Sequence, residues 1–296
     1  MNESSFKSCP LCNEKNSIEC IGDIYGKWSR KYFTLLRCKV CFYAYLADPL
    51  ICYNQIYNED YYSGFGADPL VNYLHELENP RDSVRRFEWD GIIKILLDLV
   101  GSENSKRWLD YGCGNGCLVR EGISRGWNTI GYDEGWITNM AQSRGIPILN
   151  KNELDNLENQ FDIITAIEVF EHLVDPVSEL KKIRKLIKKG GVLFFTTGNA
   201  RPYHNNLLNW SYASIPEVHV GFFEPKTIAT ALEKAGFKPY WPGYLPGYSN
   251  IIKFKILKVM RYKHEPLWAK IMPWHVLSRL VDAYYGVTRH PVGIAI

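Results

Sequence analysis

From Arg107 onward the chain alternates short apolar runs with segments whose apolar residues recur at threes and fours. "RWLDY", "NTIGYD", "IPIL", "FDIITAI" and "GGVLFFTTG" read as strands, and the third of these is very short. Between them, Gly116 to Gly126, Trp136 to Arg144 and Pro225 to Ala235 read as helices. Another helix follows Asp175, an N-cap with Pro176 at the first helical position, and its apolar face is Val177, Leu180, Ile183 and Leu186. A further helix is expected from about Arg81 to Leu99, where Phe87, Ile92, Ile95, Leu96 and Leu99 fall on one side. The last one or two strands are expected between Phe237 and about Val259. Strands that alternate with helices of about ten residues imply a doubly wound α/β domain, a mostly parallel sheet covered on both faces.

The two ends follow other patterns. "CPLC" at Cys9 and Cys12 and "CKVC" at Cys38 and Cys41 are separated by 25 residues. Two such turns complete a four-sulfur zinc site, and free thiols or disulfides are the weaker reading in a reducing compartment. Residues 1–47 are therefore expected to form a zinc ribbon stapled by its metal. Cys20, Cys52, Cys113 and Cys117 have no comparable pairing. Residues 48–80, rich in Tyr and without clean periodicity, read as a connector of loop and short helix over the domain at 81–259. Residues 260–296 read as a basic, aromatic, helical extension. In it Trp274, Leu277, Leu280, Val281 and Tyr284 share a helical face that must cover something: the protein itself, a second subunit, or an interfacial membrane contact.

Composition adds limits. The 296 residues are 46% hydrophobic, enough for one substantial core, and no apolar run approaches the ~18 residues of a membrane span. The polar start has no apolar leader segment, so the expected compartment is the cytoplasm. Net charge is +3, but residues 236–296 hold nine Lys or Arg against two acids, +7. That tail favours an anionic partner: a nucleotide-linked substrate, an anionic lipid or nucleic acid.

The candidate chemistry lies where "RWLDY" ends. Gly112-Cys113-Gly114-Asn115-Gly116 puts three glycines in five residues at the carboxyl end of a strand, where open parallel sheets bind ligands. The third glycine comes too early for the G-x-G-x-x-G of dinucleotide sites. Asp110 would also sit badly beside a pyrophosphate, whereas it would attract a ligand carrying an ammonium group. "LDYGCGNG" resembles the first motif of class I S-adenosylmethionine (SAM)-dependent methyltransferases, and "FDIITAIEVFEHLVDP" is similar to a later segment of that family across its whole length. The resemblance spans about residues 85–245 and implies a seven-stranded Rossmann-like sheet with SAM as cofactor. By it, Asp110, Gly112, Gly114 and Gly116 line the cofactor, Asp133 takes the ribose hydroxyls and Glu168 lies at the methionine end. Glu171 and His172 would shape the following turn, and Tyr61 and Tyr62 would close over the sulfonium, a contact worth about 0.5 to 2 kcal/mol.

Together with the four-cysteine module and "YNEDYY", the chain resembles zinc-binding methyltransferases that act on sugars, glycans and secondary metabolites. This implies a small-molecule or glycan acceptor, and both O- and C-methylation stay open. His219 in "SIPEVHVGFFEP" is the expected catalytic base, with Glu217 sharing the role and His172 or His204 behind them. An RNA methyltransferase with a zinc module is the alternative, since Lys253, Lys255, Lys258, Arg261 and Lys263 could touch phosphates. Against it, the first hundred residues carry 11 basic and 14 acidic side chains, a balance of −3, and no N-P-P-Y type motif is present.

Overall fold

The computed structural model describes residues 8–68, 72–101, 106–286 and 291–296; the first seven residues of the polar start lie outside them. The amino-terminal module holds three strands, β1 (Ile18–Gly26), β2 (Lys31–Cys38) and β3 (Ala44–Leu46), paired antiparallel. The connector contains short helices at Tyr53–Ile56, Glu59–Ser63 and Tyr73–Glu78.

The main sheet is built from β4 (Arg107–Tyr111), β5 (Asn128–Tyr132), β6 (Ile148–Leu149), β7 (Phe161–Ile167) and β8 (Ile187–Thr196), all parallel. Their apolar runs are buried, as expected for strands covered on both faces. A two-residue strand, β9 (Gly221–Phe222), lies outside this sheet and pairs antiparallel with β3, so the cysteine module is stitched to the α/β domain as a four-stranded sheet β1-β2-β3-β9. The main sheet is completed by β10 (Phe237–Tyr240) and β11 (Val292–Ala295), in the order β10-β11-β8-β7-β4-β5-β6. Its seven strands are mostly parallel, and β11 runs antiparallel to both neighbours. Chain order proceeds from β4 to β5 and β6 on one side, then starts again at β7 on the other. The crevice where the two directions part lies beyond the carboxyl ends of β4, β5 and β7.

The expected last strands need correction. Only β10 forms in the interval 237–259. Tyr248–Val259 is a helix, and the seventh strand comes from Val292–Ala295, inside the stretch read as an extension beyond residue 259. "IIKFKI" alternates like a strand, but helical spacing lets Ile251, Ile252, Phe254 and Leu257 be buried while the lysines find partners. Lys253 pairs with Glu265 and its ammonium lies 3.9 Å from the centre of the Phe87 ring. This helix packs tightly on Arg86–Val100. A Cβ on Gly91 would come within 2.6 Å of the Gly247 carbonyl, so the crossing depends on glycine.

The terminal helix forms at Trp274–Tyr285, and its expected apolar face is covered in part: Trp274, Leu277 and Val281 are half-buried, with Trp274 packed beside Phe254 and Leu257. Leu280 and Tyr284 are exposed, and of the helix only Ser278 is fully buried.

Candidate active site

A cavity of about 430 Å³ opens at the crevice, its floor formed by the glycine turn after β4. Gly112, Gly114 and Gly116 all have φ between +52° and +76°, a region side chains avoid, and a Cβ on Gly112 would meet Val169 at 2.5 Å. The turn is held by the end of β5. The N–H groups of Gly112 and Cys113 donate to the Tyr132 carbonyl, and that of Gly114 donates to Asp133 Oδ2 at 2.9 Å. Asp133 Oδ1 accepts from Gly135 N–H at 2.6 Å. Each carboxylate oxygen thus has one lone pair engaged and one left for a ligand.

Asp110 is buried at the end of β4. Thr165 on β7 accepts from the Trp108 indole and donates to Asp110 at 2.7 Å, linking the two central strands. Burial pushes the Asp110 carboxyl up to about 7, against the Thr165 hydrogen bond. Burial also raises Asp133, opposed by the backbone N–H groups that reach it. Both acids face the same cavity, so an uncompensated pocket disfavours their charge and a cationic ligand restores it.

The connector roofs this cavity. Tyr57, Tyr61, Tyr62 and Tyr73 form a cluster of edge and stacked contacts with centroids 4.9–6.2 Å apart, and all four line it. Arg85, absent from the expected site, anchors the roof. Its guanidinium donates to Glu76 at 2.8 Å and Glu88 at 2.9 Å, and Asn115 of the glycine turn donates to the Tyr73 carbonyl and to Glu76.

At the far end, β7 finishes at Glu168, which takes φ +55°, a strained value for a residue with a side chain. Lys255 pairs with it at 2.9 Å. Burial works to raise the Glu168 carboxyl, but Lys255 holds it well below the usual carboxylate range. Next to it stand Glu171, His172, Tyr212 and His219. The His172 Nδ1 lies 2.8 Å from the Val218 carbonyl and the His219 Nδ1 2.7 Å from that of Tyr212; each can only donate there, leaving Nε2 bare on both rings. Tyr212 stacks on His219 at 3.8 Å and donates its hydroxyl to Glu171. Burial pulls the His219 pKa down to about 3, and His172 adds to the effect. His219 is therefore a neutral, buried lone-pair donor behind His172, which is the histidine that lines the cavity.

Two expected roles are corrected. Glu217 does not join His219: its Oε1 accepts from the Ser29 backbone and hydroxyl at 2.9 and 2.8 Å, clipping the β1–β2 turn of the cysteine module. Lys253 and Lys255, expected as phosphate contacts under the RNA alternative, are committed to Glu265 and Glu168. His204 is likewise engaged, with Glu224. Tyr212 and Arg85 carried no sequence signal, being a tyrosine in an irregular loop and one arginine among several.

The four cysteines converge. Their sulfurs lie within 4.8 Å of one another, with Cys9–Cys41 at 3.6 Å and Cys12–Cys38 at 3.5 Å, and none forms a disulfide. Sulfurs about 2.3 Å from one tetrahedral ion would stand about 3.8 Å apart, so the set fits a closed four-thiolate site.

This sheet order, with a glycine turn and an acid at the ends of adjacent central strands, is the arrangement of the Rossmann-like methyltransferase fold. The chain belongs to the methyltransferase-domain family, whose model matches residues 84–240. Among curated relatives it is 34% identical over 116 residues to the ubiquinone biosynthesis O-methyltransferase of Acinetobacter baylyi, covering 35% of this chain and 48% of that protein. It is 28% identical over 179 residues to that of Bordetella avium, covering 52% and 68%. The chain thus spans about half the length of the first of these relatives. A solved SAM-dependent methyltransferase from Mesorhizobium loti superposes with a TM-score of 0.45 at 15% identity, covering 60% of this chain and 95% of that one.

Proposed function

We propose that this protein transfers the methyl group of SAM to a hydroxyl oxygen of a small-molecule acceptor. The cofactor would lie between the glycine turn and Asp133, its methionine end toward Asp110 and Glu168 under the Tyr61–Tyr62 roof. The acceptor would enter beside His172 and His219. One observation carries the reading: His172, its Nδ1 fixed by the Val218 carbonyl and its Nε2 bare, lines the cavity that Asp110, Asp133 and Glu168 also line, and the buried His219 ring stands behind it at 5.3 Å. Attack on a sulfonium methyl is an in-line displacement, so alignment and exclusion of water are the main demands, and the tyrosine roof supplies both. A hydroxyl that hydrogen-bonds to Nε2 points an oxygen lone pair at the methyl. The relatives described as O-methyltransferases support oxygen over carbon as the acceptor atom.

Sugars, nucleotide-linked sugars and hydroxylated secondary metabolites fit this requirement. We also assign one structural zinc ion to Cys9, Cys12, Cys38 and Cys41. The deciding experiment is incubation with methyl-labelled SAM and a panel of sugars, nucleotide-linked sugars and phenols alongside separated cell fractions. Label recovered as a methyl ether of a small molecule supports the proposal; label confined to RNA or to a carbon position overturns it.

A further inference from the structure

Beside the zinc module the chain has a second set of metal-ligating groups, and it lies at the acceptor end of the cavity. A carboxylate oxygen of Glu171 and ring nitrogens of His172 and His219 fall within 4.8 Å of one another. A central point is then at most about 2.8 Å from each, so contraction by under 1 Å gives the roughly 2.0–2.2 Å of imidazole and carboxylate ligands. Three features distinguish this set from a chance cluster. Both Nδ1–H groups are spent on backbone carbonyls, the outer bond that fixes a ligating imidazole with Nε2 bare. Glu171 is completely buried, and while Tyr212 satisfies Oε1, Oε2 has no hydrogen-bond partner. A buried carboxylate oxygen left unpaired is costly, and a cation satisfies it. Finally, the nearest ammonium, that of Lys255, pairs with Glu168 at 2.9 Å, and no ion pair of Glu171 with a lysine forms among the described residues.

We propose that Glu171, His172 and His219 bind an exchangeable first-row divalent cation that takes the acceptor hydroxyl as a further ligand. Two imidazoles and one carboxylate suit Mn²⁺, Fe²⁺, Co²⁺ or Zn²⁺ better than Mg²⁺ or Ca²⁺, and three protein ligands leave coordination positions open. Of the three residues His172 lines the cavity, and an acceptor would reach the cation from that side. The favoured acceptor is one whose hydroxyl has an oxygen on the adjacent carbon, able to chelate. With the cation present, both histidines are ligands. The coordinated O–H ionises and its proton passes to water. The oxygen forms the new O–CH₃ bond as the C–S bond breaks, and the electron pair returns to sulfur as S-adenosylhomocysteine leaves. This deepens the proposed function and rests on it.

Mn²⁺ is the discriminating probe, because the four thiolates of the amino-terminal module disfavour so hard an ion. Full-length protein briefly dialysed against chelator is titrated with Mn²⁺ alone, following loss of the free-ion electron paramagnetic resonance signal, with SAM affinity measured calorimetrically on the same samples. The expected result is one Mn²⁺ per chain. His172→Ala, His219→Ala and the isosteric Glu171→Gln should each weaken it at least tenfold while SAM affinity stays within about threefold. Absence of Mn²⁺ binding by the wild type, or unchanged binding in both histidine variants, overturns the inference. So does a full methylation rate in dialysed protein, an outcome that leaves the methyltransferase reading intact. Failure of the wild type to bind SAM would instead sink that reading.

Discussion

Asp110 and Asp133 end adjacent strands, and their environments assign them different tests. Asp133 ties two backbone N–H groups and keeps a lone pair on each oxygen. Asp133→Ala should weaken SAM by about 1.5 to 3 kcal/mol, roughly ten- to hundredfold, and unchanged affinity by calorimetry would place the cofactor elsewhere. Asp110 should make binding of a cationic cofactor depend on pH. Its folded carboxyl is raised from 3.8 to about 7, chiefly by burial, so between those values the folded protein holds a proton that the unfolded chain has lost. Stability without ligand should therefore fall as pH rises through that window. A cationic ligand prefers the ionised acid, so SAM should bind more tightly at pH 8 than at pH 5.5, and Asp110→Asn should flatten the dependence. Equal affinity at the two pH values in the wild type would sink this account. That the glycine turn, these two acids and Glu168 would meet at one crevice was legible in the sequence because their spacing reports a backbone path. Glu217 misled because nearness to His219 in sequence is not nearness in space: the Ile215–His219 turn sends the two side chains apart, one to Ser29 of the cysteine module and one to Tyr212 and His172.

Among the elements, those with a strong local period were legible and those decided by distant partners were not. "VGIA" is four residues long and becomes a strand only because β8 and β10 leave a gap for it. Lys253 and Lys255 mimic alternation until Glu265 and Glu168 claim them. The two-residue β9 gives no sequence signal at all, yet it connects the cysteine module to the catalytic end. Leu46 N–H donates to the Val220 carbonyl, and Val220 N–H donates to that of Glu171. Breaking the four-cysteine site should therefore act at a distance. Cys9→Ser with Cys38→Ser should remove about one equivalent of zinc and leave SAM affinity within about twofold. Methyl transfer should fall by roughly 10²-fold, the cost of an ångström-scale displacement of an aligned group. Full zinc content in the double variant, or full activity without zinc, would show that the module does not support the site.

At the scale of the whole molecule, the carboxyl-terminal helices present apolar side chains that no other described residue covers. Leu267, Ile271, Leu280 and Tyr284 are each between 65% and 85% exposed, on neighbouring helices at Leu267–Ile271 and Trp274–Tyr285. Among the described residues no helix is long and apolar enough to cross a membrane, so any lipid contact would be interfacial. Arg261, Lys263, Lys270 and Arg279 are exposed in the same segment, while Glu265 is taken up by Arg86 and Lys253. A second copy would bring the same positive charge against this face, whereas an anionic lipid surface complements it. The protein should accordingly sediment with vesicles containing anionic lipid, less so with neutral vesicles, and more weakly as salt rises. Ile271→Glu with Leu280→Glu should abolish this while changing folding stability by only about 0.5 kcal/mol per site, because neither side chain is packed. Concentration-dependent dimerisation lost in the same double variant, with no vesicle binding by the wild type, would assign the face to a second subunit instead.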